Sequence, residues 1–122
     1  MATTPALDPT ALIAQAAATK AQYPQYDGHF DGYVAVRCVR DVKSRGDVIC
    51  RKGQIVIMNP KSGEPAERQW EGLTGMPKYL AGKVMATFYL PGNLGGIDTN
   101  LRTDYFDMTG VELTDRKTGD VL

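Results

Sequence analysis

The sequence predicts a mainly β protein, a small barrel of about five strands with an N-terminal helix or arm. Three observations carry this expectation. Glycine is in excess, at 13 of 122 residues, which suits a fold with many tight turns. Short β-rich runs recur between turn residues, as in "YVAVRC", "DVIC", "QIVIM" and "KVMATFYL". The clear helical signal lies outside them, at the start of the chain, so a sheet built from βαβ units is not expected.

A chain of 122 residues fits one domain with a single core. It divides into an N-terminal arm carrying an Ala-rich helix, residues 1–25, and a barrel domain with a short C-terminal tail, residues 26–122. In the arm, Asp8 is an N-cap, Pro9 suits the first helical position, and Ala11 to Gln22 form a helix that Pro24 stops. Its apolar side, with Leu12, Ile13 and Ala16, is thin. A helix of that length is marginal alone in water, so it must dock, on its own barrel or on another chain.

In the barrel, "GYVAVRCVRD" alternates Val34, Val36 and Cys38 against Ala35, Arg37 and Val39, the period of a half-buried strand. Residues 41–47 read as a loop. A hairpin symmetric about Ser44 would set Cys38 opposite Cys50 and Arg40 opposite Val48, with both thiols buried. "QIVIMNP" is a strand and "PKSGEPAERQ" a polar loop, with Trp70 packing back on the barrel. "KVMATFYLP" is the best strand, with Val84, Ala86, Phe88 and Leu90 on one face. "GNLGGIDTN" reads as a flexible loop, and "LRTDYFDMTGVELTD" as a short turn and a closing strand before the polar tail "RKTGDVL".

The order of strand, long irregular hairpin loop, short strand, "KG" and strand resembles the SH3-like barrel, from about Tyr33 to Met108. The family's "KKGD" turn corresponds to "RKGQ", residues 51–54, where Gly53 allows a positive φ. "RTDYF" stands where SH3 domains carry "PSNYV", with Tyr105 at the Tyr position and Arg102 in place of the Pro. "AVRCV" stands in place of "ALYDY", so the tyrosine-lined groove for proline-rich peptides is not implied. What the resemblance implies is a small barrel with Tyr105, and loosely Trp70, on its binding side.

Charge is balanced overall, with 14 basic and 14 acidic residues, but unevenly spread. Residues 33–61 hold seven basic and two acidic side chains, whereas residues 98–122 hold three and six. Arg37, Arg40, Lys43, Arg45, Arg51 and Lys52 cluster on one hairpin, a surface for an anionic partner. Tyr33 could stack on a base there, which makes nucleic acid a lesser alternative. Cys38 and Cys50 are too few for a disulfide framework and fit a reducing compartment. No run reaches the roughly 18 apolar residues of a membrane span, and the start lacks a secretion signal. The expected location is the cytoplasm, or the virion if this is a phage protein, and no membrane partner is expected.

Catalytic and metal motifs are weak. In "DGHFDG", Asp27, His29 and Asp31 alternate in a spacing that resembles the start of an EF-hand loop, yet Cys38 stands where the closing Glu belongs. No metal site, cofactor or catalytic residue is therefore expected. No elbow motif surrounds Ser44 or Ser62, and "PGNLGG" lacks the Lys of a phosphate loop. "RGD" at 45–47 resembles the integrin-binding tripeptide, for which turn chemistry is the better account. The expected function is a non-catalytic protein-interaction module, with Arg37, Arg40, Lys43, Arg45, Arg51, Lys52, Trp70 and Tyr105 as candidate contact residues. The alternative is a structural subunit that docks on copies of itself, as in a phage virion.

Overall fold

A computed structural model describes residues 8–20, 28–90 and 97–122. In chain order the elements are helix α1 (Thr10–Lys20), strands β1 (Val34–Cys38), β2 (Val42–Ser44), β3 (Asp47–Cys50) and β4 (Ile55–Pro65), helix α2 (Ala66–Gln69), and strands β5 (Val84–Leu90), β6 (Ile97–Arg102) and β7 (Phe106–Asp107). Five strands form one antiparallel sheet in the order β6-β5-β4-β1-β7, and β2 pairs with β3 as a separate hairpin. The sheet curls into a half-barrel, so the protein is mainly β with a short N-terminal helix, as the sequence predicts. No described helix is long and apolar enough to cross a membrane.

Around the first half of β4 and the end of β5 the sheet is buried on both faces, which explains why "QIVIM" is a continuous apolar run rather than an alternation. On the concave side, Val36, Cys38, Val56, Met58, Ala86, Phe88, Leu90 and Phe106 form the main core, joined by Val42 and Cys50 of the hairpin. The residues between them point the other way. Ile57 and Tyr89 meet Phe30, Tyr33 and Ala16 of α1, with Leu12 and Ile13 packed beside them, in a second, smaller core. Thus α1 docks on its own sheet. Its start is capped as expected, because the Asp8 Oδ1 accepts the Thr10 N–H at 2.9 Å and its hydroxyl at 2.6 Å. Pro24 and its stop signal lie outside the described residues.

Three expectations need correction. Residues 41–47 are not a loop but most of the β2–β3 hairpin, whose tip is Arg45 (φ 53°) and Gly46 (φ 85°). Positive φ at both central residues makes the two-residue turn that matches strand twist, so Ser44 pairs with Asp47 and Val42 with Cys50. Cys38 instead lies opposite Phe106. "PKSGEP" continues β4 through an irregularity between Asn59 and Glu64, and "AERQ" is α2. There Ser62 Oγ donates to the Asn59 carbonyl at 2.6 Å and accepts the Thr87 N–H at 2.8 Å, keeping the strand joined to β5 where its ladder is broken. Finally, residues 97–100 belong to β6, which pairs along its length with β5; residues 91–96 lie outside the description.

The closing strand is short, only Phe106–Asp107. The chain beyond it does not trail away as a polar tail. Thr114 and Gly63 run side by side, with Thr114 N–H donating to the Pro60 carbonyl at 2.8 Å and Gly63 N–H to the Thr114 carbonyl at 2.9 Å. Asp115 is buried there, and its carboxylate takes both ends of the Arg68 guanidinium at 2.8 and 2.7 Å. It also accepts the Lys117 and Thr118 N–H groups. The Arg68 pair, then these N–H bonds, hold the Asp115 carboxyl well below its usual range.

A depressed carboxylate pKa adds stability that is complete above the unfolded value, 3.8, and is lost as pH falls below it. Arg68→Ala is expected to lower the melting temperature at neutral pH, and the gap from the parent to narrow once pH falls below about 4. Thermal melts across this range check it. A gap that stays constant would show that the pair does not couple to folding.

Candidate binding face

The "RKGQ" turn joins the hairpin to the sheet. Gly53 has φ 89°, and its N–H donates to the Cys38 carbonyl at 2.7 Å while Cys38 N–H donates to the Gln54 carbonyl at 2.8 Å. Lys52 N–H is taken by Asp41 Oδ1 at 2.8 Å, and the Arg37 guanidinium reaches the Gly53 carbonyl at 3.2 Å. The side chains of Arg37, Arg51 and Lys52 are exposed around this turn, and Lys43 and Arg45 are exposed towards the hairpin tip. The "RGD" segment is therefore the two-residue turn and its first paired residue.

Arg40 stands apart from these because it lies over an aromatic ring. Its guanidinium carbon is 4.5 Å from the centroid of Tyr105, and that of Arg102 is 4.8 Å from the same ring. Arg102 ends β6, and Tyr105 closes the single 3₁₀ turn Thr103–Tyr105. Residues three apart eclipse in such a turn, which places Arg102 beside Tyr105. Arg102 also lies 5.8 Å from the ring of Tyr79, which is 61% exposed. The result is a ladder of Arg40, Tyr105, Arg102 and Tyr79 drawn from three separate segments.

The ladder is tied to the fold at several points. Asp104 Oδ1 accepts Arg102 Nε at 3.0 Å and Oδ2 accepts Nη2 at 2.6 Å, and Lys83 adds an ion pair at 3.3 Å. Arg102 first, and then Lys83, lower the Asp104 pKa below its usual value. Val39 N–H donates to the Tyr105 carbonyl at 2.9 Å. The buried Cys38 thiol donates to the Arg40 carbonyl at 2.7 Å. Cys50 is buried beside Cys38, and loss of solvent, then contact with that thiol, pushes its pKa up to about 12. Both thiols sit in the core as small packing groups.

Of the residues singled out in the sequence, the structure brings Arg40 and Tyr105 together and sets the other hairpin cations nearby. Trp70 is half-buried at the end of α2, which packs on β4. Tyr33 cannot stack on a base: it is 5% exposed, under α1, with its hydroxyl donating to Asp98 at 3.4 Å. Burial, and then the Asp98 charge, push its pKa upwards, so it stays a neutral phenol. His29 pairs with the same Asp98 and lies in tight turns around Gly28 (φ 72°) and Gly32 (φ 82°). It is not in the extended run that would align it with Asp31, and Asp27 lies outside the described residues. Among the described residues no three His, Cys, Asp or Glu side chains gather as metal ligands.

Sequence reasoning missed Tyr79, and it treated Arg102 only as a substitute for a proline. The available signal was the "RTDY" spacing, which puts Arg and Tyr on one side of a single 3₁₀ turn. Comparison of the chain with protein-family models, curated proteins and solved structures gives no match.

Proposed function

We propose that the chain is a non-catalytic protein-binding module on an SH3-like barrel, and that the ladder of Arg40, Tyr105, Arg102 and Tyr79 is its recognition face. The observation that carries this is the ladder itself. Tyrosine and arginine are the side chains most often found as binding anchors, and here the Cys38 thiol and the Val39 N–H fix the Arg40 and Tyr105 carbonyls while Asp104 holds the Arg102 guanidinium. The SH3-like reading is supported by the "RKGQ" turn, closed by Gly53 on β1, and by "RTDYF" forming a 3₁₀ turn into the last strand. A non-catalytic role is supported by the state of the reactive groups. The two thiols are buried, and Tyr33 is held as a phenol. The alternative of an assembly subunit would use the apolar side of α1 for a neighbouring copy, and that side already lies on the chain's own sheet.

The test is affinity recovery from the native source, followed by titration of whatever protein is recovered in stoichiometric amount. Arg40→Glu and Tyr79→Ala are each expected to weaken binding about tenfold or more, as anchors do. Both side chains are exposed, so melting temperatures should hold, and Lys117→Gln serves as a control on the C-terminal turn. Undiminished binding by both variants would overturn the proposal. Recovery of the chain alone in large particles would overturn it in favour of a structural subunit.

A further inference from the structure

The ion pairs of the molecule are unevenly distributed. Arg68, Lys83, Arg102 and Arg116 each hold a carboxylate. Arg37, Arg40, Lys43, Arg45, Arg51, Lys52 and Lys61 form no salt bridge among the described residues. All seven lie on the segment of residues 33–61. With only Asp41 and Asp47 on the same segment, these cations leave a basic excess that raises the local potential and attracts an anionic partner.

Within the ladder the same imbalance recurs at close range. Two guanidiniums share the Tyr105 ring, and one of them, Arg102, is satisfied by a forked pair with Asp104 at 3.0 and 2.6 Å. The other, Arg40, has no carboxylate among the described residues. Its backbone is fixed by the Cys38 thiol on its carbonyl, and its side chain by the ring. Such a group loses little freedom on binding, and a planar fork suits a carboxylate in two parallel hydrogen bonds. Val39, 43% exposed beside it, adds apolar surface.

We propose that the partner is an acidic peptide segment, one carboxylate of which forms a forked pair with Arg40 over Tyr105, repeating outside the chain what Asp104 does for Arg102 within it. Further acids of the peptide lie against Arg51 and Lys52 at the adjoining turn. This rests on the ladder being a protein-binding face. A peptide fits better than a nucleic acid. Asp41 and Asp107, both exposed, break the basic surface into short patches that discrete peptide carboxylates can match and a continuous polyphosphate cannot. Guanidiniums lie against the Tyr105 ring, and Tyr33 is buried, so neither ring offers a base an open stacking platform.

A library of random 12-residue peptides selected on the immobilised full chain tests this. The expected result is enrichment of Asp and Glu, with binding that falls as salt rises. Arg40→Lys keeps the charge and loses the planar fork, and is expected to weaken the best acidic peptide about fivefold or more. Arg40→Glu should abolish the acidic enrichment, and Lys117→Gln should leave it unchanged. Enrichment of neutral peptides that still depend on Tyr79 would overturn the acidic partner and leave the binding face standing. No enrichment at all would overturn both. A single-stranded oligonucleotide of equal charge that binds more tightly than the best peptide, and depends on Arg40, would overturn the peptide in favour of nucleic acid.

Discussion

Phe88→Ala is expected to cost about 3–5 kcal/mol of folding stability, the range for emptying a buried aromatic site. Phe88 is fully buried in the middle of β5, between Met58 of β4 and Thr99 of β6. Its ring stacks on Phe106 with centroids 4.0 Å apart and planes 16° from parallel. Phe106 belongs to a strand of two residues, so few ladder bonds hold it and side-chain contact must supply the rest. Loss of Phe88 therefore opens a cavity and also frees β7 from the sheet. A domain of this class has about 5–15 kcal/mol in all, so the variant should melt on the order of 10–20 °C lower. Urea denaturation would measure the loss, and a change below about 1 kcal/mol would show that the site closes over without penalty.

Gly63→Val is expected to release the C-terminal segment. A β-carbon at Gly63 would meet Leu122 Cδ1 at 2.6 Å, the Thr114 carbonyl oxygen at 2.8 Å and Leu113 Cγ at 2.9 Å. The leucine atoms could swing aside, but the Thr114 oxygen is backbone and is the acceptor of the Gly63 N–H. Relief of the clash therefore breaks that bond, and with it the bond from the Arg116 N–H to the Gly63 carbonyl. The cost is about 1–3 kcal/mol, as for other overpacked sites. Because the strain is local, the clearest signature is trypsin cleavage at Arg116 and Lys117 under conditions in which the parent resists. Equal resistance in parent and variant would contradict the close approach.

Much of the fold is legible in the sequence because the relevant forces are local. Asp8 caps α1, Gly53 sets the turn that "RKGQ" predicts, and the spacing of Ala86, Phe88 and Leu90 identifies the inner face of β5. The missed strands share a different cause. "IDTNLR" contains Asp and Asn, which are depleted in strands and favour turns, and it is a strand because β5 offers it a full ladder. "PKSGEP" contains two prolines and a glycine, and it remains in β4 through Ser62, whose two hydrogen bonds no periodicity reveals. The C-terminal segment is held by backbone groups on Pro60 and Gly63 and by the Arg68–Asp115 pair, long-range contacts that leave no local pattern.

The candidate site divides in the same way. Charge clustering finds Arg40, and the "RTDYF" resemblance finds Tyr105. Their contact depends on β1 lying beside β7, a long-range pairing. Tyr79 comes from the connection between α2 and β5, whose path has no repeating pattern. The neutralisation of Arg102 by Asp104 is visible only once the 3₁₀ turn is known, and with it the contrast that singles out Arg40.

The two-sided burial of β4 leaves a problem of alignment that the strand solves at its ends. In most half-buried strands a shift of one residue exposes the apolar set, and that penalty alone fixes the pairing. Val56, Ile57 and Met58 are all apolar and all buried, so a shift of one place would still present oil to both cores. Hydrophobicity cannot measure position along such a segment. The measuring is done by polar atoms outside it: at one end Gly53 and Gln54 exchange hydrogen bonds with Cys38, and at the other Ser62 joins Asn59 to Thr87. The strand works like a ruler graduated only at its two ends, and an insertion anywhere between those marks would leave its greasy middle intact while throwing one end out of line.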